Sequence, residues 1–262
     1  MHSVDNALQI LELLAEPDKE CTAGELAAQL GLSRTTAFRL LATLELHGFV
    51  RQNPASGRYR LGLKLLQLGG VVLKSLRLND EARPILRDLV AQCGETVHLA
   101  VLDAGELVFI EKIESPRPFR MGSYVGARMP AYCTATGKLL LAYLPEDELV
   151  RYLRTTELKR YTARTITDPR DLALHLATIR AEGIAVDLEE SEEGLMCIAA
   201  PIWSASGKRV LAAVSISGPV TRLKPRQEEL AERVREAGLK ISQAMGYGRA
   251  APGFLSARSR EG

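Results

Sequence analysis

The chain has 262 residues and 46% hydrophobic content, which is enough to fill the cores of two domains. Its net charge of +2 does not by itself indicate a polyanionic partner. The four cysteines are widely spaced and form no CxxC, which argues against a disulfide framework and a structural zinc site. We predict no metal and no cofactor. The sequence has no signal peptide, lipidation motif or long apolar run, so we expect a cytoplasmic protein without a membrane partner.

The first part of the chain predicts three helices. Residues 3–15 place apolar side chains on one helical face, and residues 22–49 read as helix, tight turn and helix. Thr22 and Glu25 have the spacing of a capping box, and Ser33 can cap the helix that follows the turn. This order indicates a helix-turn-helix.

The second helix of this motif has one apolar and one polar face. The apolar face carries residues at i, i+3, i+4 and i+7, namely Ala37, Leu40, Leu41 and Leu44. The opposite face carries Thr35 and Arg39, flanked by Thr36 and Phe38. Short hydroxyls and an arginine at this position are typical of a helix whose N-terminal half enters a DNA major groove. An ordinary helical hairpin, with Arg39 merely solvated, is the alternative.

A basic hairpin is predicted next. Residues 49–52 and 58–61 read as short strands around a turn rich in Asn, Pro, Ser and Gly. Arg58 and Arg60 alternate along the second strand and should share one face. Residues 33–64 hold six basic and one acidic residue, a net charge of +5, as expected of a phosphate-facing surface. We therefore predict a winged helix-turn-helix; a charged edge that prevents aggregation is the alternative reading of the hairpin.

An apolar connecting helix is predicted over residues 62–76. Its excess apolar surface would be buried either by a second subunit or by the chain's own second domain, and the sequence leaves both open. The predicted divisions are a DNA-binding domain over 1–61, this linker over 62–76, a second domain over 77–246 and a disordered tail over 247–262.

The second domain is predicted to be α+β, with helices around a mostly antiparallel sheet. Its first helix should run over 79–93 from a capping Asn79. The predicted strands are 96–102, 107–113, 119–125, 184–189, 196–203 and 209–217. The further predicted helices are 134–143, 145–153, 171–182 and 225–245.

The order of several segments resembles the IclR-type (isocitrate lyase regulator) family of bacterial transcriptional regulators. The segments are SVDNALQILELL, ELAAQLGLSRTTAFRLLATLELHGFV, YRLG, GETVHLAV, TATGKLLLAYLP, TITD, GIAVDLEE, GLMCIAAPI and AAVSISGP. The resemblance implies an N-terminal winged helix that binds double-stranded operator DNA and a C-terminal GAF/PAS-like domain that binds a small effector. It also implies a homodimer or a dimer of dimers. RNA polymerase is a further candidate partner.

The resemblance also implies site residues. The DNA-reading residues would be Ser33, Arg34, Thr35, Thr36 and Arg39, to which the hairpin pattern adds Arg58 and Arg60. The effector pocket would be formed by Met121, Met129, Ala135, Thr136, Asp187, Cys197, Ser215 and Ser217.

The chemistry of that pocket favours a small organic acid as effector. A helix that starts near Ala135 would present free backbone N–H groups, and Thr136, Ser215 and Ser217 would add hydroxyls. Asp187 would accept a hydrogen bond from a ligand hydroxyl or hold a serine in place. The alternative is that the two serines only satisfy the sheet and that Asp187 is a surface carboxylate.

Enzyme motifs are incomplete, so we predict no catalytic residues. TATGK has Tyr132 where a phosphate loop needs its first glycine and Leu139 where it needs Ser or Thr. SISGP has Ala213 in place of the first glycine of a nucleophile elbow. Cys197 could act as a nucleophile only with a base such as His98 nearby. The remaining alternative to a regulator is a small-molecule enzyme or sensor whose N-terminal helices mediate association.

Overall fold

A computed structural model describes residues 2–16, 19–75 and 77–248 of the chain. The chain divides into two compact units, one up to residue 76 and one from residue 77. The predicted tail lies outside the described residues from position 249 onward.

The first unit is a three-helix bundle with a two-stranded hairpin and a following helix. Its elements are α1 (His2–Leu13), α2 (Ala23–Gln29), α3 (Arg34–Leu46), β1 (Val50–Gln52), β2 (Tyr59–Leu61) and α4 (Leu63–Ser75). Ile10, Leu26, Leu41, Val50 and Tyr59 pack together in its core. Apolar side chains at helical spacing on three short helices therefore close around the base of the hairpin.

The capping residues of α2 and α3 lie where the sequence predicts them. The Thr22 hydroxyl accepts from the Glu25 amide at 3.2 Å, and the Glu25 carboxylate accepts from the Thr22 amide at 2.7 Å. Ser33 caps α3 by accepting from the Thr36 amide at 3.1 Å. Just before α2, Cys21 exchanges two backbone hydrogen bonds with Tyr59. The β1–β2 hairpin, which is the wing, is thus attached to the segment that leads into α2.

The second unit is an α+β domain built on a six-stranded antiparallel sheet. Its strands are β3 (Thr96–Asp103), β4 (Glu106–Ile113), β5 (Arg128–Pro130), β6 (Ala185–Leu188), β7 (Leu195–Trp203) and β8 (Val210–Pro219), in the order β5-β4-β3-β8-β7-β6. Its helices are α5 (Arg77–Cys93), α6 (Ala135–Ala142), α7 (Glu146–Thr155), α8 (Pro169–Glu182), α9 (Val220–Leu223) and α10 (Gln227–Ala244).

The two faces of the sheet have different partners because side chains alternate along each strand. One face packs against α5 and α10, and a Cβ at Gly238 of α10 would lie 3.5 Å from Val214 and 3.5 Å from Ala200. The opposite face packs against α6, where Ala199 and Ala213 join Leu139 in the larger core. The small alanines leave room for α6 close to the sheet.

Two local predictions are wrong. Asn79 does not cap a helix, because α5 already begins at Arg77 and the Asn79 amide donates to the Ile110 carbonyl at 2.8 Å. Residues 119–125 do not form a strand. The Lys112 ammonium instead donates to two carbonyls of this segment, those of Met121 at 3.0 Å and Ser123 at 2.6 Å. Because these carbonyls accept from Lys112, they are not available to a neighbouring strand.

Candidate DNA-binding surface and effector pocket

The N-terminal half of α3 presents hydroxyls and one guanidinium on its surface. Thr35 and Arg39 are exposed, whereas Ala37 and Leu41 of the same helix are fully buried. The Ser33 and Thr36 hydroxyls lie 2.8 Å apart at the start of the helix. The N–H groups of a first helical turn and hydroxyls beside them suit a phosphate oxygen, and the side chains further along suit base edges.

Four arginine side chains of the first unit are without a hydrogen-bond or ion-pair partner among the described residues: Arg34, Arg39, Arg51 and Arg60. Arg51 lies directly opposite Arg60 in the hairpin, and both are exposed. Like charges directly opposite each other destabilise a strand pair unless an anion lies between or above them. The alternation of residues along the second strand indicates Arg60 but not Arg51. Arg51 could be identified only from the register between the two strands.

Arg58 does not belong with these arginines. It precedes β2, so the prediction that it shares a strand face with Arg60 is wrong. Its guanidinium donates to the Glu20 carbonyl at 2.7 Å and forms an ion pair with Glu25 at 3.1 Å. The same Glu25 carboxylate completes the capping box of α2, and the pKa of Glu25 is lowered by the Thr22 amide first and by Arg58 as well. Arg58 therefore joins the wing to the start of α2.

A row of polar side chains crosses the α6-facing side of the second sheet. Asp187, Cys197, Ser217 and Thr96 are successive cross-strand partners on β6, β7, β8 and β3. Asp187, Ser217 and Thr96 are buried, and Cys197 is partly exposed. Such a row costs free energy unless its polar atoms are hydrogen-bonded or meet a ligand.

The next row places His98 beside Ser215. His98 is buried, its Nε2 lies 2.8 Å from the Ser123 hydroxyl, and its Nδ1 lies 3.4 Å from the Ser217 hydroxyl. Burial, with a smaller contribution from Lys112, lowers the pKa of His98 to about 3. The ring is therefore neutral near pH 7, with one nitrogen donating and the other accepting.

The helix expected behind this surface is present. Thr134 caps α6 by accepting from the Gly137 amide at 3.2 Å, and Ala135 and Thr136 lie buried in its first turn. Those two positions carry the N–H groups that helix geometry leaves without an intrahelical acceptor.

Asp187 is buried rather than a surface carboxylate, and both of its oxygens are engaged. One oxygen accepts from the Glu190 amide at 2.7 Å, and the other accepts from the Ser191 hydroxyl at 2.6 Å. Burial raises the pKa of Asp187, and the Ser191 hydroxyl partly offsets that effect. Its visible role is to hold the turn after β6.

The two methionines lie in different parts of the second unit. Met129 belongs to β5, pairs with Leu107 and packs against the larger core. Met121 lies in the segment that Lys112 holds and is partly buried. Neither is brought into a hydrogen-bonded group with the serines, and their roles at a pocket stay a prediction.

The structure contains a buried ion pair on α6 that the sequence does not predict. Lys138 is completely buried; its ammonium pairs with Glu190, donates to the Val186 carbonyl at 2.8 Å and lies 3.1 Å from His175 Nε2. Burial first, and Lys138 second, lower the pKa of His175 to about 4. Burial raises the pKa of Glu190, whose second oxygen is without a partner in the described structure. The cluster fixes α6 to α8 and to the turn after β6.

The site has little capacity for covalent chemistry. Burial raises the pKa of the Cys197 thiol, as it does for Cys133, so both stay protonated and are weak nucleophiles. All four cysteines are free. Across the described residues, no three His, Cys, Asp or Glu side chains come together as metal ligands, and no helix is long and apolar enough to cross a membrane.

Comparison with known proteins decides the family. Residues 3–54 match the IclR helix-turn-helix domain, and residues 70–243 match the C-terminal domain of bacterial transcriptional regulators of the IclR type. The chain belongs to the IclR family. This confirms the resemblance and the two-domain fold class, and it places the chain among transcriptional regulators rather than enzymes.

Relatives and solved structures agree over most of the chain. The chain is 40% identical to the HTH-type transcriptional regulator XynR of Escherichia coli, covering 94% of this chain and 98% of the relative. It is 40% identical to the regulator KdgR of Escherichia coli, covering 94% and 93%. The crystal structure of Thermotoga maritima IclR shares 37% identity, with a TM-score of 0.76 over 94% and 100%. An IclR homologue from Microbacterium hydrocarbonoxydans complexed with 4-hydroxybenzoate shares 27% identity, with a TM-score of 0.82 over 93% and 98%.

Proposed function

We propose that the protein is an operator-binding regulator whose DNA affinity or promoter output changes when a small organic acid binds at the polar side chains of the sheet, beside the first turn of α6. It would act as a homodimer or dimer of dimers, beside RNA polymerase at a promoter in the bacterial cytoplasm. The observation that carries this proposal is the contrast on the first unit: Arg39 and Arg60 are exposed without a protein partner among the described residues, whereas Arg58 is bound to Glu20 and Glu25.

The DNA-contacting set divides by position. Ser33, Arg34 and Thr36 lie at the start of α3, where helix N–H groups favour a phosphate oxygen. Thr35 and Arg39 lie on the exposed face that would meet base edges, and Arg60 on the wing would meet the backbone. We omit Arg58 from this set because it is bound to Glu20 and Glu25. We add Arg51, which lies opposite Arg60 in the hairpin.

Sequence reading by Arg39 can be tested with Arg39→Ala. A bidentate contact from arginine to guanine discriminates between bases by about 1–3 kcal/mol, so the variant should relax preference at one position of the operator. The assay is selection of binding sites from random duplexes, followed by affinity measurements. Arg87→Ala, an exposed arginine of α5, is the matched control and should keep the wild-type preference. Unchanged preference in Arg39→Ala would mean that another residue reads the base.

Dimerisation is supported by exposed apolar side chains on α4. Leu66 is 73% exposed and Leu63 is 77% exposed, and a contiguous apolar surface of this kind indicates a protein partner. A dimer of winged helices should bind a near-palindromic site whose half-sites lie roughly 34–36 Å apart, or a multiple of that.

The dimer proposal is tested with Leu66→Glu in analytical ultracentrifugation. A charge at the interface should shift the protein towards monomer and weaken operator binding. Leu174→Glu changes a leucine of α8 that is 71% exposed and serves as the control. A wild-type protein that is monomeric at micromolar concentration and still protects one isolated half-site would contradict the proposal.

The effector class is inferred from the polar lining of the second unit. Ser215, Ser217 and Thr136 offer hydroxyls, the first turn of α6 offers N–H groups, and neutral His98 can donate or accept. A carboxylate with a hydroxyl, keto or aromatic group matches these donors better than a cation does. The relative solved with 4-hydroxybenzoate supports the class without naming this protein's effector.

A thermal-shift panel of small carboxylic acids, amines and uncharged apolar compounds tests the effector class. A ligand at 100 times its Kd should stabilise the protein by about 2.7 kcal/mol. The response should be lost in Ser215→Ala/Ser217→Ala and kept in Ser206→Ala, an exposed turn serine. The assignment is wrong if only amines or apolar compounds raise the melting temperature, or if the double variant responds like the wild type.

A further inference from the structure

Helix α3, the proposed recognition helix, exposes one large aromatic side chain that the proposed DNA contacts do not use. Phe38 follows Ala37 and precedes Arg39 on α3, and it is 53% exposed. Its neighbours on the exposed side of this helix are Thr35, Thr36 and Arg39, which are polar. A single exposed phenylalanine is common on protein surfaces, so its position has to carry the argument.

The position of Phe38 on α3 follows from contacts of Glu45. Residues seven apart lie nearly in line on an α-helix, so Phe38 and Glu45 share one side of α3. The Glu45 carboxylate accepts from the Gln52 amide of β1 at 2.8 Å, which identifies this side as the one that faces the wing. Phe38 lies roughly 10 Å nearer the helix start than Glu45, since the rise is about 1.5 Å per residue. It therefore lies on the wing side of the helix half that would enter the groove.

The major groove offers one group that suits an apolar ring. Phosphates along the groove are charged and base edges mostly present donors and acceptors, and the C5-methyl group of thymine is the largest apolar group on those edges. We propose that Phe38 is a specificity-determining residue that packs on a thymine C5-methyl next to the base read by Arg39. This inference rests on the proposed DNA-binding function and extends it to a residue with no hydrogen-bonding capacity.

Replacing thymine by uracil in the operator tests the contact, because uracil keeps every hydrogen-bonding group and lacks only the methyl. Each thymine of a selected operator is replaced singly, and the Kd is measured for the full-length protein. At one position per half-site the wild type should bind about four-fold more weakly, since one buried methyl is worth about 0.8 kcal/mol. Phe38→Ala should bind the thymine and uracil duplexes equally, and Phe38→Leu should retain most of the difference.

Leu46→Ala is the matched control, because Leu46 is 83% exposed near the end of the same helix. It should keep the wild-type preference for thymine. The inference is overturned if no single uracil weakens the wild type, or if Phe38→Ala keeps the four-fold difference. It is also overturned if Phe38→Ala changes the oligomeric state and leaves the thymine preference intact, since Phe38 would then contact protein.

The outcome for the proposed function is separate. If the wild type binds no duplex with sequence preference and salt dependence, the DNA-binding proposal itself fails. If it binds a selected operator but ignores the thymine methyls, only the role of Phe38 fails. The wild-type measurement with uracil does not depend on the folding of any variant.

Discussion

Arg58 and Arg60 give the sharpest test of the first unit, because they are only two residues apart and have different contacts. Arg58→Ala removes a hydrogen bond of 2.7 Å to the Glu20 carbonyl and the ion pair to Glu25. A hydrogen bond from a charged donor contributes about 1.5 kcal/mol, and the ion pair adds little because both side chains are substantially exposed. Arg60→Ala removes no side-chain hydrogen bond or ion pair among the described residues, so its effect on stability should be close to zero.

Hydrogen exchange followed by mass spectrometry on the full chain measures the local difference. Amides of α2 and of the wing should exchange about ten-fold faster in Arg58→Ala, as expected for a loss of about 1.5 kcal/mol in local opening free energy. They should be unchanged in Arg60→Ala.

DNA binding should show the opposite pattern. Arg60→Ala should flatten the slope of log affinity against log salt concentration by about one, as should Arg51→Ala. Arg58→Ala should keep the wild-type slope. The reasoning would be refuted if Arg58→Ala flattened the slope by one unit and left exchange unchanged, because Arg58 would then leave Glu25 for a phosphate.

Three further predictions concern the second unit. Gly137→Ala should destabilise it by about 2 kcal/mol in urea denaturation, although alanine normally favours a helix, because the new Cβ would lie 2.4 Å from the Ala131 Cα. Lys138→Met should cost about 3 kcal/mol by leaving the Glu190 carboxylate buried without its cation, and Lys138→Met/Glu190→Gln should cost less in the same assay. His98 has a pKa of about 3 in the fold and about 6.5 in the unfolded chain, so stability falls as pH decreases between these values; denaturation at pH 7 and pH 5 should show about 2 kcal/mol of acid loss that His98→Gln lacks.

Features set by neighbouring residues could be predicted from the sequence. The capping residues Thr22, Ser33 and Thr134 all lie at the start of their helices, because a cap depends on a spacing of three residues. The buried and exposed positions of α3 also follow, because 3.6-residue periodicity fixes which side chains share a face. The antiparallel sheet followed from consecutive strands with short connections.

Features set by contacts between distant residues could not be predicted in the same way. Nothing near Arg58 in the sequence indicates that its partners are Glu20 and Glu25, more than thirty residues earlier. The predicted strand over 119–125 failed because Lys112 binds its carbonyls, a contact that strand propensity does not contain. The sequence indicates His98 only as a base for Cys197, since its partners Ser123 and Ser217 become neighbours only in the folded structure.

Side chains that alternate along β8 face two different environments. Ser215 and Ser217 face α6, whereas Val214 lies against α10 on the other side of the same strand. At the proposed effector site, substitutions at positions 215 and 217 would change which ligand is recognised without removing atoms from the core beneath α10. A new effector preference would thus leave the packing beneath α10 intact. On this one strand, residues that would set ligand preference alternate with residues that pack in the core.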